Sequence, residues 1–362
     1  MAPAHLNFFT LHVNVLATIS LVLSKNDTAQ PRFSAILIFG DSLVDTGRFS
    51  DGKVISDFLA SALGLKETVP AFLDPKLTNE DILTGVCFAS AGSGYDDLTN
   101  AVYNSIPVMK QPNNLKSYID KLKGVVGEIQ AQEIIGDSMV LVVAGSSDLF
   151  VNYYGNPSRR NLTRPVPNHL NGFDTCHAPM VDTRAAPKAN HPSTRPKAYN
   201  QFELSRYQDL LLQRVQDFVK TLYGIGCSHI MVAGLPPLGC GQGQSQFSTC
   251  LDPRYSDSQT YNQKLVGLLP KIQATLPGSK LVYADLFTPF VDMIINPTKY
   301  GFLVTTRGCC GTGTYETGPL CSPVSSVCSN PAQYLFWDSL HPTQAAAGYI
   351  SQYLHTNSLS QF

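Results

Sequence analysis

The chain has 362 residues, 43% hydrophobic and 15% charged, with 26 Lys and Arg against 27 Asp and Glu for a net charge of -1. That length and apolar fraction suffice for one large core over residues 33–356, and nothing in the composition calls for a second domain. The balanced charge gives no basic field for nucleic acid, and no Lys/Arg run suits an anionic membrane surface.

The apolar stretch Val13–Leu23 is too short to span a bilayer and is followed by polar Ser24-Lys25-Asn26-Asp27, so residues 1–24 read as a secretory signal rather than a membrane anchor. Two sequons, Asn26-Asp27-Thr28 and Asn161-Leu162-Thr163, agree with a secreted, extracellular protein. Strand-like apolar runs then recur at Ala35–Phe39, Val86–Ala89, Met139–Ala144, His229–Ala233 and Lys280–Ala284. Segments of helical periodicity separate them, and this alternation predicts an α/β fold with a central parallel sheet. The clearest helix is Glu203–Tyr223, where Leu204, Tyr207, Leu211, Val215, Phe218 and Leu222 recur every three or four residues before Gly224. Further helices are predicted at Lys53–Leu63, Leu115–Leu122, Gln263–Leu276, Phe287–Ile295 and Thr343–Leu354. Residues 156–200 are rich in Pro, Arg, Asn and His and lack apolar periodicity. Such a segment buries too little to offset its ordering entropy, so it is predicted to be a disordered insert in the domain.

Two short motifs at opposite ends of the domain carry the chemistry. Phe39-Gly40-Asp41-Ser42-Leu43 follows the first strand-like run, so Ser42 sits just beyond a strand's carboxyl end, where open α/β sheets bind ligands. A serine hydroxyl is a weak nucleophile that needs a histidine to take its proton and a third group to orient that histidine. Asp338-Ser339-Leu340-His341 supplies both. Among the eight histidines, His341 is best placed: the others lie in the N-terminal apolar segment, the 156–200 insert, a strand start or the C-terminal tail. Asp174-Thr175-Cys176-His177 repeats the spacing but falls in the insert. The competing structural reading of Asp338 is a strand end or a cap for the helix beginning near Pro342.

Nine cysteines are many for a reducing compartment, and six fall late, at Cys240, Cys250, Cys309, Cys310, Cys321 and Cys328. They read as disulfide staples, with Cys240 and Cys250 a plausible local pair and Cys87, Cys176 and Cys227 left free. No CxxC pair or neighbouring His suggests a metal site. No Walker-type or GxGxxG nucleotide motif is present, and no cofactor is implied.

These residues resemble the plant GDSL esterase/lipase family of the SGNH hydrolase superfamily over most of the chain from Ala35 onward. The resemblance rests on Phe39–Gly47, Gly85–Gly94, Ala144-Gly145-Ser146-Ser147-Asp148 and Phe336–Thr343, with Leu235–Cys240 and Gly308–Gly311 as further landmarks. The Gly94-Tyr95-Asp96 stretch is similar to the extracellular anther-coat type. The resemblance implies a flavodoxin-like three-layer α/β/α fold with a small-molecule ester or lipid substrate. It also implies Ser42 as nucleophile, His341 as base and Asp338 as its orienter, with an oxyanion hole from the Ser42 N–H, the Gly92 N–H and a third-block side chain. Read without the resemblance, Gly92 is equally a tight turn after a strand.

Two departures from the family pattern stand out. Its third-block Asn is Ser147 here, a shorter side chain with one hydroxyl donor. Asp45-Thr46-Gly47 also runs straight into Arg48-Phe49-Ser50-Asp51-Gly52, where the family places an Asn-rich turn and a Gly/Pro-rich segment. The leading expectation is a secreted serine esterase. The alternatives are a catalytically impaired lipid or acyl-glycan binding protein and an acyltransferase using the same acyl-enzyme.

Overall fold

A computed structural model describes residues 32–47, 49–155, 201–240, 253–314, 316–322 and 324–362. The expected secretory signal, both sequons and the 156–200 insert lie outside these residues. Strands β1 (Ile36–Gly40), β2 (Met139–Val143), β3 (His229–Ala233) and β4 (Lys280–Ala284) pair in parallel in the order β1-β2-β3-β4. β1 and β2 are buried at every position, which is why their sequences are continuous apolar runs instead of alternating ones.

The expected strand Val86–Ala89 is reduced to an isolated bridge, Ile38 to Cys87, but it still runs along the outer edge of β1. The Ile38 N–H donates to the Val86 carbonyl at 3.1 Å and the Phe88 N–H to the Ile38 carbonyl at 2.7 Å. On its other edge this segment pairs with the chain at Ala71, the Cys87 N–H donating to the Pro70 carbonyl and the Phe72 N–H to the Cys87 carbonyl, each at 2.9 Å. With that segment counted, the sheet order is that of flavodoxin-like folds, and the switch point falls between β1 and β2.

Helices α1 (Ile55–Ala62), α2 (Asn79–Leu83), α3 (Asp97–Tyr103), α4 (Gln111–Val126), α5 (Glu128–Gly136), α6 (Gln201–Ile225), α7 (Pro253–Gln273), α8 (Phe287–Ile295) and α9 (Gln344–Asn357) surround the sheet. Alternate strand residues sort them into two layers. Leu37, Phe39, Val140, Val142, Ile230 and Val232 face a core built with α4, α5, α6 and α7. Ile36, Ile38, Leu141, Val143, Met231 and Val282 face a second core built with α1, α8 and α9. The result is a three-layer α/β/α fold. A short pair, β5 (Val304–Gly308) and β6 (Tyr334–Phe336), lies outside the main sheet and leads into the Asp338 loop.

Two disulfides, Cys309–Cys328 and Cys310–Cys321, staple the segment between β5 and β6. Cys240 is also disulfide-bonded, and Cys250, its expected partner, lies outside the described residues. Cys87 and Cys227 are free and buried, and burial pushes both thiols up to about 12, which keeps them unreactive.

The turn after β1 is set by Gly40, whose φ is +134°. A Cβ there would stand 1.8 Å from the Val143 carbonyl oxygen. Gly40→Ala is therefore expected to destabilise the protein by more than about 2 kcal/mol. Urea unfolding would show it, and an unchanged midpoint would contradict the account of this turn.

Candidate active site

Because Gly40 and Val143 end adjacent parallel strands in register, the residues just beyond them, Ser42 and Gly145–Ser147, emerge at the same carboxyl edge of the sheet. The Gly40 peptide is fixed from several sides. Its N–H donates to Gln111 Oε1 at 2.9 Å, and its carbonyl accepts from Gln111 Nε2 at 2.9 Å and Ser93 Oγ at 2.6 Å. The next residue adds two anchors: the Asp41 N–H donates to the Val143 carbonyl at 2.9 Å, and Asp41 Oδ1 accepts the Leu43 N–H at 3.1 Å. Ser42 is thus presented by a turn whose backbone has little freedom.

His341 comes from the other end of the chain, on the turn between β6 and α9. The Trp337 N–H closes this turn on the His341 carbonyl at 2.8 Å. Thr343, not Asp338 or Pro342, is the N-cap of α9, its hydroxyl accepting the Ala346 N–H at 3.3 Å. That frees Asp338 from the capping role. Its Oδ1 accepts the Leu340 and His341 N–H groups at 2.8 and 2.7 Å, and its Oδ2 accepts from His341 Nδ1 at 2.7 Å. The opposite ring nitrogen, His341 Nε2, lies 2.7 Å from Ser42 Oγ. Ser42, His341 and Asp338 are therefore one continuous hydrogen-bonded chain.

Burial opposes charge on Asp338, but the neighbouring His341 and the N–H donors outweigh it and hold the carboxyl below its ordinary value. One of those donors is the Gly318 N–H, at 3.0 Å from Oδ2. Gly318 sits in the loop closed by Cys310–Cys321, and its neighbours add to the grip. The Ser339 N–H donates to the Glu316 carbonyl at 2.9 Å, and Thr317 Oγ1 lies 2.6 Å from Ser339 Oγ. The disulfide-stapled segment thereby braces the turn carrying Asp338 and His341.

Gly92 has φ +74°, and a Cβ there would meet the Tyr103 ring at 2.6 Å, so this position needs glycine. Among the described residues, neither the Ser42 nor the Gly92 N–H is taken up by a backbone hydrogen bond. Ser147 is buried and immediately precedes a turn of π-helix, Asp148–Tyr154. Asp148 anchors that turn to the Gly92 segment by accepting the Tyr95 N–H at 2.9 Å, the Asp96 N–H at 3.0 Å and the Thr99 hydroxyl at 2.6 Å.

Two further carboxyls behind the site are buried. Burial pushes Asp41 up to about 7 against the opposing pull of the Leu43 N–H and His341, and it pushes Asp148 up to about 6 against its three donors. Both hold their proton more tightly folded than unfolded. Their neutral forms thus contribute stability below the ordinary carboxylate value of 3.8, which is lost as pH rises through about 6 and 7.

Two narrow apolar clefts flank Ser42 and His341. One is walled by Pro236, Pro237, Phe290, Ile294, Phe336 and Leu340, the other by Phe49, Val54, Ile55 and Pro342. The Phe49 ring stacks on the His341 imidazole, centroids 5.1 Å apart and planes 23° from parallel. A larger depression of about 350 Å³ on another side of α8, lined by Phe287, Tyr300, Tyr349 and Tyr353, includes neither Ser42 nor His341. Ser42 and His341 line the two smaller clefts.

Sequence reasoning missed Gln111, Gly318 and Phe49 as parts of the site. Gln111 is an isolated helical Gln with no motif around it. Gly318 becomes visible only once the Cys310–Cys321 pairing is known. Phe49 lies where the family landmarks are missing.

The GDSL-like lipase/acylhydrolase family model matches residues 36–354. Among curated proteins, GDSL esterase/lipase At2g31550 of Arabidopsis thaliana is 42% identical over 379 residues, covering 95% of each chain. GDSL esterase/lipase At2g31540 of the same plant is 43% identical over 365 residues, covering 91% of each. Both alignments are longer than this 362-residue chain, so the relatives carry residues with no counterpart here. The match spans nearly the whole described domain, and the chain belongs to the GDSL-like lipase/acylhydrolase family.

Proposed function

We propose that this protein is a secreted serine esterase that hydrolyses carboxylic esters through an acyl-enzyme on Ser42. The observation that carries the reading is the hydrogen-bonded chain from Ser42 Oγ through His341 to Asp338, 2.7 Å at each link. His341 Nε2 takes the Ser42 proton as Oγ attacks the ester carbonyl, and the same proton then passes to the departing alcohol. Water, deprotonated by His341, attacks the acyl-serine and releases the acid, restoring Ser42. Asp338 keeps Nδ1 protonated and stabilises the imidazolium formed in each half-reaction. Negative charge on the carbonyl oxygen falls to the Ser42 and Gly92 N–H groups and the Ser147 hydroxyl. Secretion is supported by the disulfides at Cys309–Cys328 and Cys310–Cys321, which persist in oxidising compartments. Among the described residues, no helix is long and apolar enough to cross a membrane. The test is hydrolysis of a short-chain nitrophenyl ester by purified protein, with catalytic activity expected and its complete absence in well-folded protein counting against the reading.

Ser147 favours a second reading, a protein of low turnover that holds lipid or acylated glycan. Its hydroxyl reaches less far than the family's Asn, and loss of one oxyanion donor costs about 10²–10³ in turnover, roughly 3 kcal/mol. Ser147→Asn is accordingly expected to raise kcat with little change in KM. No change would mean that the hydroxyl or a bridging water already serves as donor. Failure of a fluorophosphonate probe to label Ser42 would favour the binding-protein reading. Transfer of the acyl group to an alcohol acceptor uses the same intermediate, and product analysis with added alcohols distinguishes it from hydrolysis.

A further inference from the structure

We infer that this site selects esters of small acyl groups, acetyl or propionyl in size, and that Phe49 is the residue that sets the limit. The inference rests on the esterase reading of Ser42 and adds the substrate class.

The cleft walled by Phe290, Ile294 and Phe336 holds about 30 Å³, and the one beneath Phe49 about 10 Å³. On this measure a single enclosed water needs about 10–15 Å³. The first cleft therefore admits a group the size of a couple of waters, and the second less than one. An acetyl methyl group fits within the first cleft, whereas most of an octanoyl chain would have to lie outside it.

Both walls are held in place. Phe290 and Ile294 are buried on α8 among Met293, Phe336 and Leu335 in the second core. Close-packed core side chains do not withdraw without cost. Phe49 is held by its stack on His341 and by Gly318, where an added Cβ would come within 3.1 Å of the ring. The chain just after it is tied to the start of α9. Asp51 Oδ1 accepts the Gln344 N–H at 2.7 Å, and the Lys53 N–H donates to Gln344 Oε1 at 2.7 Å. Gly47 lies two residues before Phe49, and the Gly47 N–H is held by Asp45 Oδ1 at 2.8 Å. The chain on either side of Phe49 is thus anchored at Gly47 and at Asp51–Lys53. Opening this side of the cleft means removing the ring.

The experiment compares acetyl, butyryl and octanoyl nitrophenyl esters on the native protein, Phe49→Ala and Ile294→Ala, with fluorophosphonate labelling of Ser42 as the check that each variant keeps a folded, reactive site. In the native protein, kcat/KM is expected to fall by about tenfold or more from acetyl to octanoyl, since pocket fit discriminates on that scale. Phe49→Ala is expected to raise the octanoyl-to-acetyl ratio by about tenfold or more, and Ile294→Ala to raise it less because the surrounding core partly closes the gap. Equal native rates on acetyl and octanoyl esters, or an unchanged ratio in a labelled Phe49→Ala protein, would overturn the inference. Hydrolysis of no ester together with no Ser42 labelling would overturn the esterase reading itself and the size preference with it.

Discussion

Replacing Ser42 by Ala is expected to lower kcat for ester hydrolysis by about 10⁶-fold, the scale seen when a serine nucleophile is removed from a hydrogen-bonded triad. On the proposed mechanism the effect is large because Ser42 is the group that carries the acyl. Ser42 Oγ is the atom next to His341 Nε2, and the other polar side chains of the turn already have structural tasks. Asp41 accepts the Leu43 N–H, and Asp45 accepts the Gly47 and Ala91 N–H groups at 2.8 and 2.7 Å. The fold should survive, since the clamp on this turn runs through Gly40, Gln111 and Ser93 and leaves the serine side chain free of structural load. Adding His341→Ala to Ser42→Ala is expected to cost little more, because the two act as one unit. Circular dichroism confirms folding, and a rate within tenfold of native in folded Ser42→Ala protein would remove Ser42 from the mechanism.

Asp338→Asn is the second large effect, a fall in kcat of about 10⁴-fold with KM nearly unchanged. An Asn at this position presents an amide N–H where the carboxylate accepted from His341 Nδ1, which favours the tautomer with its proton on Nε2, facing Ser42. The imidazole can then no longer accept the serine proton. The Leu340, His341 and Gly318 N–H groups that converge on the carboxylate also make this more than a change of one bond. Each donor was placed for an acceptor oxygen, and an amide supplies only one. Steady-state kinetics on a nitrophenyl ester measure the loss, and a loss of less than tenfold would mean that His341 is oriented by its turn alone.

Much of this arrangement is legible in the sequence. The apolar runs that become β1 to β4 are buried strands, and their parallel order follows from the helices between them. The predicted helix Phe287–Ile295 has the observed bounds, while Glu203–Tyr223 extends to Gln201–Ile225 because its apolar stripe continues through Ile225. The features missed are those whose signal is short or non-local. α2 has five residues and is set by the Thr78–Asp81 capping box, too short for periodicity to appear. β6 has three residues and pairs with β5 across the disulfide-stapled segment, so neither reads as a strand alone. α5 buries only Ala131, Ile134 and Ile135, a thin stripe that does not stand out.

The site shows the same division. Ser42, Asp338 and His341 could be paired because nucleophile, base and orienter need those residue types, and the structure brings them within hydrogen-bonding distance across 299 residues of sequence. Gly92 is singled out by the family resemblance alone, and the structure gives it a positive φ that glycine tolerates. Gln111, Gly318 and Phe49 act through contacts that only folding creates: a side-chain amide on a distant glycine peptide, a backbone N–H delivered by a disulfide loop, and a ring stacked on the imidazole. No residue type announces such roles in advance.

The central claim is that the acyl group passes through Ser42. Rapid acid quench of the protein turning over a nitrophenyl ester, followed by peptide mapping by mass spectrometry, tests it most directly. The predicted result is one acyl group on the peptide containing Ser42, present in the native protein and absent in Ser42→Ala. Undiminished hydrolysis in Ser42→Ala, or an acyl group found on a different residue during native turnover, would contradict it.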